Sequence, residues 1–574
     1  LGRLEVLQGS TLDPGSNVNS LGIIETGGLL LASDAILNFD VQEDGDSDLI
    51  IANGTVTLQG GTLNIVEAGD FMGEDAYNFT IIQNDLDDAV VGTFGTINNQ
   101  LAFLTPIINY SGGDGNDVTL VLSEIVSEGQ CSVAAADGVN TICAGVVTNS
   151  NPPNGYGTGS EVNVTILVDQ DAQLTGAEDG IDLGAGTILT VAEGAVVRGN
   201  LNGAAIGGGG SVDNAGTLTT AGAGTNNAAL AIKSGSLDGL VNTGVIQGNN
   251  AVGVRLGSGS LTGANNSGSI TGVRGIYLAD GDLTGFVNSG AVTSETPNGQ
   301  SGIGIQLVSG DITDFSNSGT IKGGNHAVLA ESGSIDGLVN TAVIQGIGGS
   351  LEGIIEASGN IGGLVNASGA VIESTGGQGA AIQSLTGDIA DLTNRGTIRG
   401  LNIAIRARQG DIPNLFNAEG AVISARTAIT TDQGGGTIVN AGQIIGEGNI
   451  GTAIFFAGTG TLDNSGVIEG ENDTISFGVA GSSVVNSGRI TGRSGNAAVA
   501  LRAAGEVSNL SSGVIEGSAF VADGTIVNSG SIVQTGGAIE GSGAGVGTGT
   551  VTNNAGAEIG GTANGVTVGF GGGT

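Results

Sequence analysis

The sequence predicts an all-β fold, a right-handed parallel β-helix (β-solenoid) with coils of roughly 24 residues. Two observations predict it. An asparagine, in most repeats followed within two or three residues by glycine, recurs at Asn214, Asn242, Asn266, Asn288, Asn317, Asn340, Asn366, Asn394, Asn417, Asn440, Asn464, Asn486, Asn509, Asn528 and Asn554, a mean step of (554 − 214)/14. Between these corners lie runs of four to six Val, Ile, Leu and Thr residues. Such runs suit short strands, whereas ankyrin, tetratricopeptide or HEAT units need helix formers and ~33 to 47 residues per repeat. A glycine stands seven residues before the asparagine in eight successive repeats, Gly235, Gly259, Gly281, Gly310, Gly333, Gly359, Gly387 and Gly410, so length variation falls in other corners.

Within a repeat, alternation sets the inward positions. In the stretch 281–294, Leu283, Phe286 and Val292 are expected to point inward and Asp282, Thr284 and Ser294 outward. Three strands and their turns fill a coil, and parallel pairing at ~4.8 Å would stack roughly 20 coils into a rod of ~100 Å. Asparagine suits a fixed corner because it tolerates left-handed backbone and bonds its own turn, and stacked copies bond between coils. Asn242, Asn266, Asn288, Asn317, Asn340, Asn394, Asn440, Asn464, Asn486 and Asn528 are therefore read as structural.

Three parts follow along the chain: an acid-rich, less regular segment over 1–123, a linker over 124–160 ending after Pro152 and Pro153, and the repeat array over 161–574. Cys131 and Cys143 flank a turn-forming Ala-Ala-Ala-Asp-Gly-Val-Asn-Thr stretch and read as a disulfide-closed hairpin, which implies an oxidising, extracytoplasmic compartment; two free buried thiols are the alternative. Two Cys and one His make no standard structural zinc site. Beginning at Leu1, with no signal peptide and no apolar run long enough to span a membrane, the sequence reads as a mature or partial segment of a longer product.

The first part carries Leu12-Asp-Pro-Gly-Ser16, Leu37-Asn-Phe-Asp-Val41, Asp46-Ser-Asp-Leu-Ile-Ile-Ala-Asn-Gly-Thr55 and Gly60-Gly-Thr-Leu-Asn-Ile65. After these come Tyr77-Asn-Phe-Thr-Ile-Ile82, Gly92-Thr-Phe94, the closing stretch from Leu101 to Tyr110, and Val118-Thr-Leu-Val-Leu122. Over nearly all of 1–123 it resembles the passenger-associated repeat and junction region of Gram-negative autotransporters, and the downstream array is similar to that superfamily in its β-helical repeat style. The resemblance implies an extracellular passenger. In autotransporters this junction precedes a membrane β-barrel, whereas here the cysteine pair and roughly 400 further repeat residues follow, without barrel strands bearing aromatic girdles.

Composition narrows the partners. Fourteen Lys and Arg against 55 Asp and Glu give a net charge of −41, which argues against nucleic acid and anionic membrane surfaces. Divalent cations would weaken the repulsion between such chains. With 39% hydrophobic residues and a mean hydropathy of +0.24 the chain can bury a core. Aromatics are 3%, with no Trp, so platforms for stacking sugars are scarce.

Catalysis on a β-helix, as in pectate-lyase-like enzymes and phage tailspikes, needs clustered carboxylates and cations on one face. The best local group is Asp388, Asp391, Arg395, Arg399, Arg406, Arg408 and Asp411, with Arg406 and Arg408 sharing a strand face by their spacing of two. Without a matching aromatic or acidic groove it reads as a solvated ion-pair patch. His326, the single histidine, follows Gly323-Gly-Asn325 and reads as a turn residue; no triad can be assembled around it. Two oxygen-rich turns, with Asp44, Asp46 and Asp48 in one and Asp114 and Asp117 in the other, offer the candidate ligands for calcium, the one candidate cofactor, and plain acidic turns are the preferred reading. The four glycines over 207–210 precede no Lys-Ser or Lys-Thr and make no phosphate loop. Residues 295–302 form the longest inserted corner and the expected contact site.

The expectation is thus an extracellular, cell-surface structural or adhesive solenoid, not an enzyme, that self-associates into a filament or matrix and meets a surface glycan or protein. A polysaccharide-binding or polysaccharide-cleaving β-helix is the alternative.

Overall fold

The computed structural model describes the chain except residues 16–19, 43–44, 69–76, 85–89, 102–103, 114–115, 125–128, 296–301, 347–352, 377–378, 472, 494–496, 535–541, 563 and 570–574. The described residues contain strands and turns and no helix. Parallel coils about 24 residues apart form a β-solenoid of about 21 turns in all. The chain divides into two compact units, residues 1–134 with 139–147 and residues 135–138 with 148–574. Of the segment 124–160, residues 124–134 and 139–147 fall in the first unit and 135–138 and 148–160 in the second.

The first unit is itself a short solenoid. Its three sheets stack in register as Leu4↔Leu29↔Val56↔Val90, Thr11↔Ile36↔Thr62↔Thr96 and Ile23↔Leu49, with Ile50↔Ile82 continuing the third. Leu29, Leu37, Phe39, Ile50, Leu63 and Ile82 fill its core. Parallel stacking then ends: strand Asp117–Glu124 runs antiparallel to both Tyr77–Asn84 and Leu104–Gly112. A second antiparallel pair places Cys131 directly opposite Cys143, joined by a disulfide.

In the second unit one sheet carries one strand per coil and another carries two, and from Leu261 to Ala390 a third ladder of two-residue strands is added. The clearest inward column runs Ile246↔Ile270↔Val292↔Ile321↔Ile344↔Ile372↔Ile398↔Ile423↔Ile444↔Ile468↔Ile490↔Ile515↔Ile532. All are fully buried. β-Branched residues fit here because a pleated, stacked surface presents each branch to the same branch one coil on. Each burial contributes about 2–3 kcal/mol.

The recurring asparagines form a second column. Each donates Nδ2–H to the Oδ1 of the next at 2.7–2.9 Å, in an unbroken series from Asn214 through Asn242, Asn266, Asn288, Asn317, Asn340, Asn366, Asn394, Asn417, Asn440, Asn464, Asn486, Asn509 and Asn528 to Asn553. The members from Asn214 to Asn528 are at most 1% exposed. The same Nδ2 donates to the carbonyl two residues on, as Asn288 to Gly290, or four residues on where the turn is longer, as Asn366 to Ala370.

Two sequence expectations change here. The last rung is Asn553 rather than Asn554, which instead donates to Ser529 Oγ. The left-handed corner is not at the asparagine either. It lies three residues earlier, at Gly239, Gly263, Gly285, Asp314, Gly337, Gly363 and Asp391, all with positive φ, while none of the ladder asparagines has positive φ. The asparagine ends an extended strand with its amide turned into the core, so it closes the turn from inside.

Glycine is required by crowding at two positions, and at the second by backbone conformation as well. A Cβ on Gly290, two residues after Asn288, would lie 2.1 Å from the carbonyl oxygen of Gly268 one coil below. A Cβ on Gly310 would lie 2.2 Å from that of Gly281, at φ +107°.

Asn340→Ala should destabilise the second unit by about 3 kcal/mol, because it strips partners from the buried Nδ2 of Asn317 and Oδ1 of Asn366 together. Asn554→Ala, outside the ladder, should change stability by less than about 0.5 kcal/mol. Chemical denaturation with hydrogen exchange of the 317–366 coils distinguishes the two. Gly310→Ala should cost at least about 2 kcal/mol in the same assay, from the left-handed φ and the backbone clash together.

Candidate functional site

The two described aspartates of the oxygen-rich turn ending at Asp48 do not face the same way. Asp46 is exposed, Asp44 lies outside the described residues, and Asp48 is fully buried. Asp48 Oδ1 accepts the Gly22 N–H at 2.7 Å and Oδ2 accepts the Asp40 N–H at 2.9 Å, which ties one coil of the first unit to the next. Asp40, also fully buried, and Asp13 bring a carboxylate oxygen each to within 4.8 Å of the other two. The structure therefore assembles Asp13, Asp40 and Asp48 across two coils, a set that spacing along the sequence did not suggest.

Three hard oxygen donors suit Ca²⁺ or Mg²⁺ in kind, but a calcium site takes six to eight oxygens and both oxygens of Asp48 already accept amides. The Asp48 carboxyl is pushed up to about 6, chiefly by burial and further by the charges of Asp40 and Asp13, against the two amide hydrogen bonds that pull it down. In the second candidate turn Asp114 lies outside the described residues, and Asp117, 8% exposed, accepts the Asn84 N–H at 2.8 Å. Both Asp48 and Asp117 thus turn inward onto backbone amides.

The charged group around 388–411 is dispersed by the fold. Asp388 Oδ1 accepts the Asp411 N–H and Asp411 Oδ1 accepts the Gly435 N–H. These are the last links of a turn ladder in which a short polar side chain of one coil takes the amide above it, through Ser236, Ser260, Asp282, Asp311, Ser334 and Asn360. Asp391 accepts from Asn414 Nδ2. Arg399 sits on the one-strand-per-coil sheet near Glu373 and Glu447, whereas Arg406 lies on the other sheet and forks onto Asp432. Arg408 follows the end of Arg406's strand, Ile403–Ala407, and Arg395 follows the ladder residue Asn394. The fold thus sets them on separate sheets and turns.

His326 is not a turn residue. It opens strand His326–Ala330 at 3% exposure, with Nδ1 2.7 Å from the Gly353 carbonyl and Nε2 3.2 Å from Asn325 Nδ2. Gly353 N–H in turn donates to Glu356, whose Oε2 also accepts from Gln383 Nε2. The imidazole is committed to backbone and amide partners in the wall of the solenoid. Of the inserted corner, residues 296–301 lie outside the described residues; at its start Glu295 accepts the N–H groups of Asn249 and Asn250, which both have positive φ.

Comparison with protein-family models, curated proteins and solved structures finds no match to this chain.

The Asp48 carboxyl keeps its proton to higher pH in the folded than in the unfolded chain, where its value is 3.8. Its contribution therefore favours folding below about pH 4 and is lost as pH rises through about 6. Asp48→Asn should melt at lower temperature overall, since its single amide oxygen can accept only one of the two N–H groups and its NH2 cannot accept the other, yet the difference between variant and parent should shrink as pH rises from 4 to 7. Thermal melts of the two proteins across that range test this; a constant difference would contradict it.

Proposed function

We propose that this chain is an extracellular structural or adhesive β-solenoid of a bacterial cell surface, whose work is done by length, stiffness and side chains on its outer faces. The observation that carries the reading is the way polar side chains are used. The asparagine ladder and the Ser, Asp and Asn turn ladder spend them on tying coil to coil, and the acids and cations that a catalytic cleft would gather are distributed over separate sheets and turns. The Cys131–Cys143 disulfide supports an oxidising, extracytoplasmic setting. The resemblance of residues 1–123 to autotransporter passenger-associated repeats supports a surface location, and the net charge of −41 disfavours nucleic acid and anionic membranes as partners.

Electron microscopy of the purified chain, with and without a calcium chelator, tests the reading. Stiff rods are expected in both buffers, and filaments that dissolve in chelator would show that cations bridge acidic faces during self-association. Compact particles, or cleavage of a polysaccharide by the same preparation, would overturn it.

A further inference from the structure

Aromatic side chains are few in this chain, and most of those described are at least partly buried. Phe416, Phe455 and Phe520 are the phenylalanines left exposed among the described residues, and two of them share one outward column of the second unit. The pairings run Phe455↔Ser476↔Ala500↔Phe520↔Gly545↔Thr567, one position per coil. Two aromatic faces, each about 40% exposed, are thus set three coil steps apart, roughly 14 Å, with small residues between them. From Ala500 past Phe520 to Thr567 the surface is a groove of about 280 Å³ along the stack, floored by Ala500 and Gly545.

One wall of the groove carries an ion pair. Arg502 donates from Nη2 to Asp473 and from Nε to Ser476 Oγ at 3.1 Å, so the guanidinium is held in place while more than half of its side chain stays exposed. Its remaining N–H groups are donors, and the Asp473 carboxylate is an acceptor beside them. The pair is neutral as a unit. An anionic ligand would have to compete with Asp473 and approach a chain of net charge −41. An extended peptide could not add as a strand, because the floor is the face of a sheet whose backbone groups are already paired from coil to coil.

A ligand that fits has apolar ring faces to lie on phenylalanine and many uncharged hydroxyls to exchange hydrogen bonds with a fixed donor–acceptor pair. We propose that this groove binds a neutral glycan chain running parallel to the solenoid axis, with a sugar ring on Phe520 and hydroxyls on Arg502 and Asp473; Phe455 lies outside the groove lining, farther along the same column, where a longer chain would reach it. Sugar C–H groups, polarised positive by the adjacent oxygens, meet the negative face of the ring. The site supplies a ligand class for the adhesive reading and rests on it, since a stiff rod without a binding face would be structural alone.

Isothermal titration of the whole chain with cellotetraose, maltotetraose and chitotetraose, and with tetragalacturonate as the acidic counterpart, tests the proposal. At least one neutral tetrasaccharide should bind saturably. Its Kd should rise about tenfold or more in Phe520→Ala and recover in Phe520→Trp. Ala500→Trp, which fills the groove, should abolish binding, and Phe416→Ala, on another strand row, should leave it unchanged. Thermal melts of each variant separate loss of site from loss of fold. No neutral tetrasaccharide binding at millimolar concentration, binding of tetragalacturonate alone, or a Phe520→Ala variant that binds like the parent would each overturn it. Rods seen by microscopy would survive any of these results, so the failure of the groove and the failure of the structural reading remain distinguishable.

Discussion

The buried asparagine ladder is the constraint on which the rest of the second unit depends. An amide placed among Ile and Leu is tolerable only if its donor and acceptor are both occupied, and here the partner is supplied one coil on. Every coil must therefore bring its asparagine to the same height and depth, however long its corners are. Coil lengths range from 19 residues between Asn509 and Asn528 to 29 between Asn288 and Asn317, yet both amide bonds are 2.8 Å. Insertions are displaced to corners that the ladder does not touch. The series is also polar: all Nδ2 groups point towards higher residue numbers, so successive amide dipoles reinforce one another. It starts abruptly, where Asn214 stacks on Val191 and its buried Oδ1 has no hydrogen-bond partner.

The period of the fold was legible because it is written twice, in the asparagines and in the isoleucines that alternate with polar residues on the same strands. What repeats at one position per coil survives variation in corner length. Corner geometry was less legible, since Gly and Asn both favour left-handed backbone and both occur in each corner; the sign that separates them is the aspartate in place of glycine at Asp314 and Asp391, three residues before a ladder position. Asn553 and Asn554 are neighbours of the same type, and only the register of strand Ser542–Asn553 against Ser518–Asn528 decides between them. The convergence of Asp13, Asp40 and Asp48 joins separate coils and has no spacing signature. Asp40 alone gave a hint, as a carboxylate between Phe39 and Val41 in a strand whose alternation it breaks.

The same stacking explains why an acidic chain does not concentrate its charge into a site. In the turn ladder Asp282, Asp311, Asp388 and Asp411 each accept the amide of the coil above, a role for which Ser236, Ser260, Ser334 and Asn360 serve equally well. The scarce cations bridge coils on other faces: Arg489 to Glu516, Arg493 to Glu469, and Lys233 to Asp182 at 2.7 Å. Exposed pairs of this kind contribute only about 0–1 kcal/mol each, so their effect is local alignment more than stability. Repetition along the axis distributes like residues into columns, and a cluster of unlike residues can arise only where a column is interrupted.

The coils around Phe456 are such an interruption, and it reaches from the core to the surface. In the register columns Ile412↔Gly436↔Gly460 and Ser482↔Gly505, joined where Gly460 N–H donates to Ser482 Oγ, bulk disappears after Ile412, while the column Ala407↔Thr431↔Phe456↔Phe477↔Leu501 gains it. A Cβ on Gly460 would sit 2.5 Å from the Phe477 ring, so the exchange of volume is mutual. Phe456 and Phe477 stack at 5.3 Å between centroids, which anchors their strands by large, rigid inward side chains. Those strands carry Phe455 and Ser476 on their outer face, at the head of the column that continues to Ala500 and Phe520. An exposed aromatic row gains nothing for folding, and a groove with a fixed floor can hold it in place only if the core beneath does not repack. The shift of bulk onto this sheet supplies that rigidity at the coils where the outward phenylalanines begin.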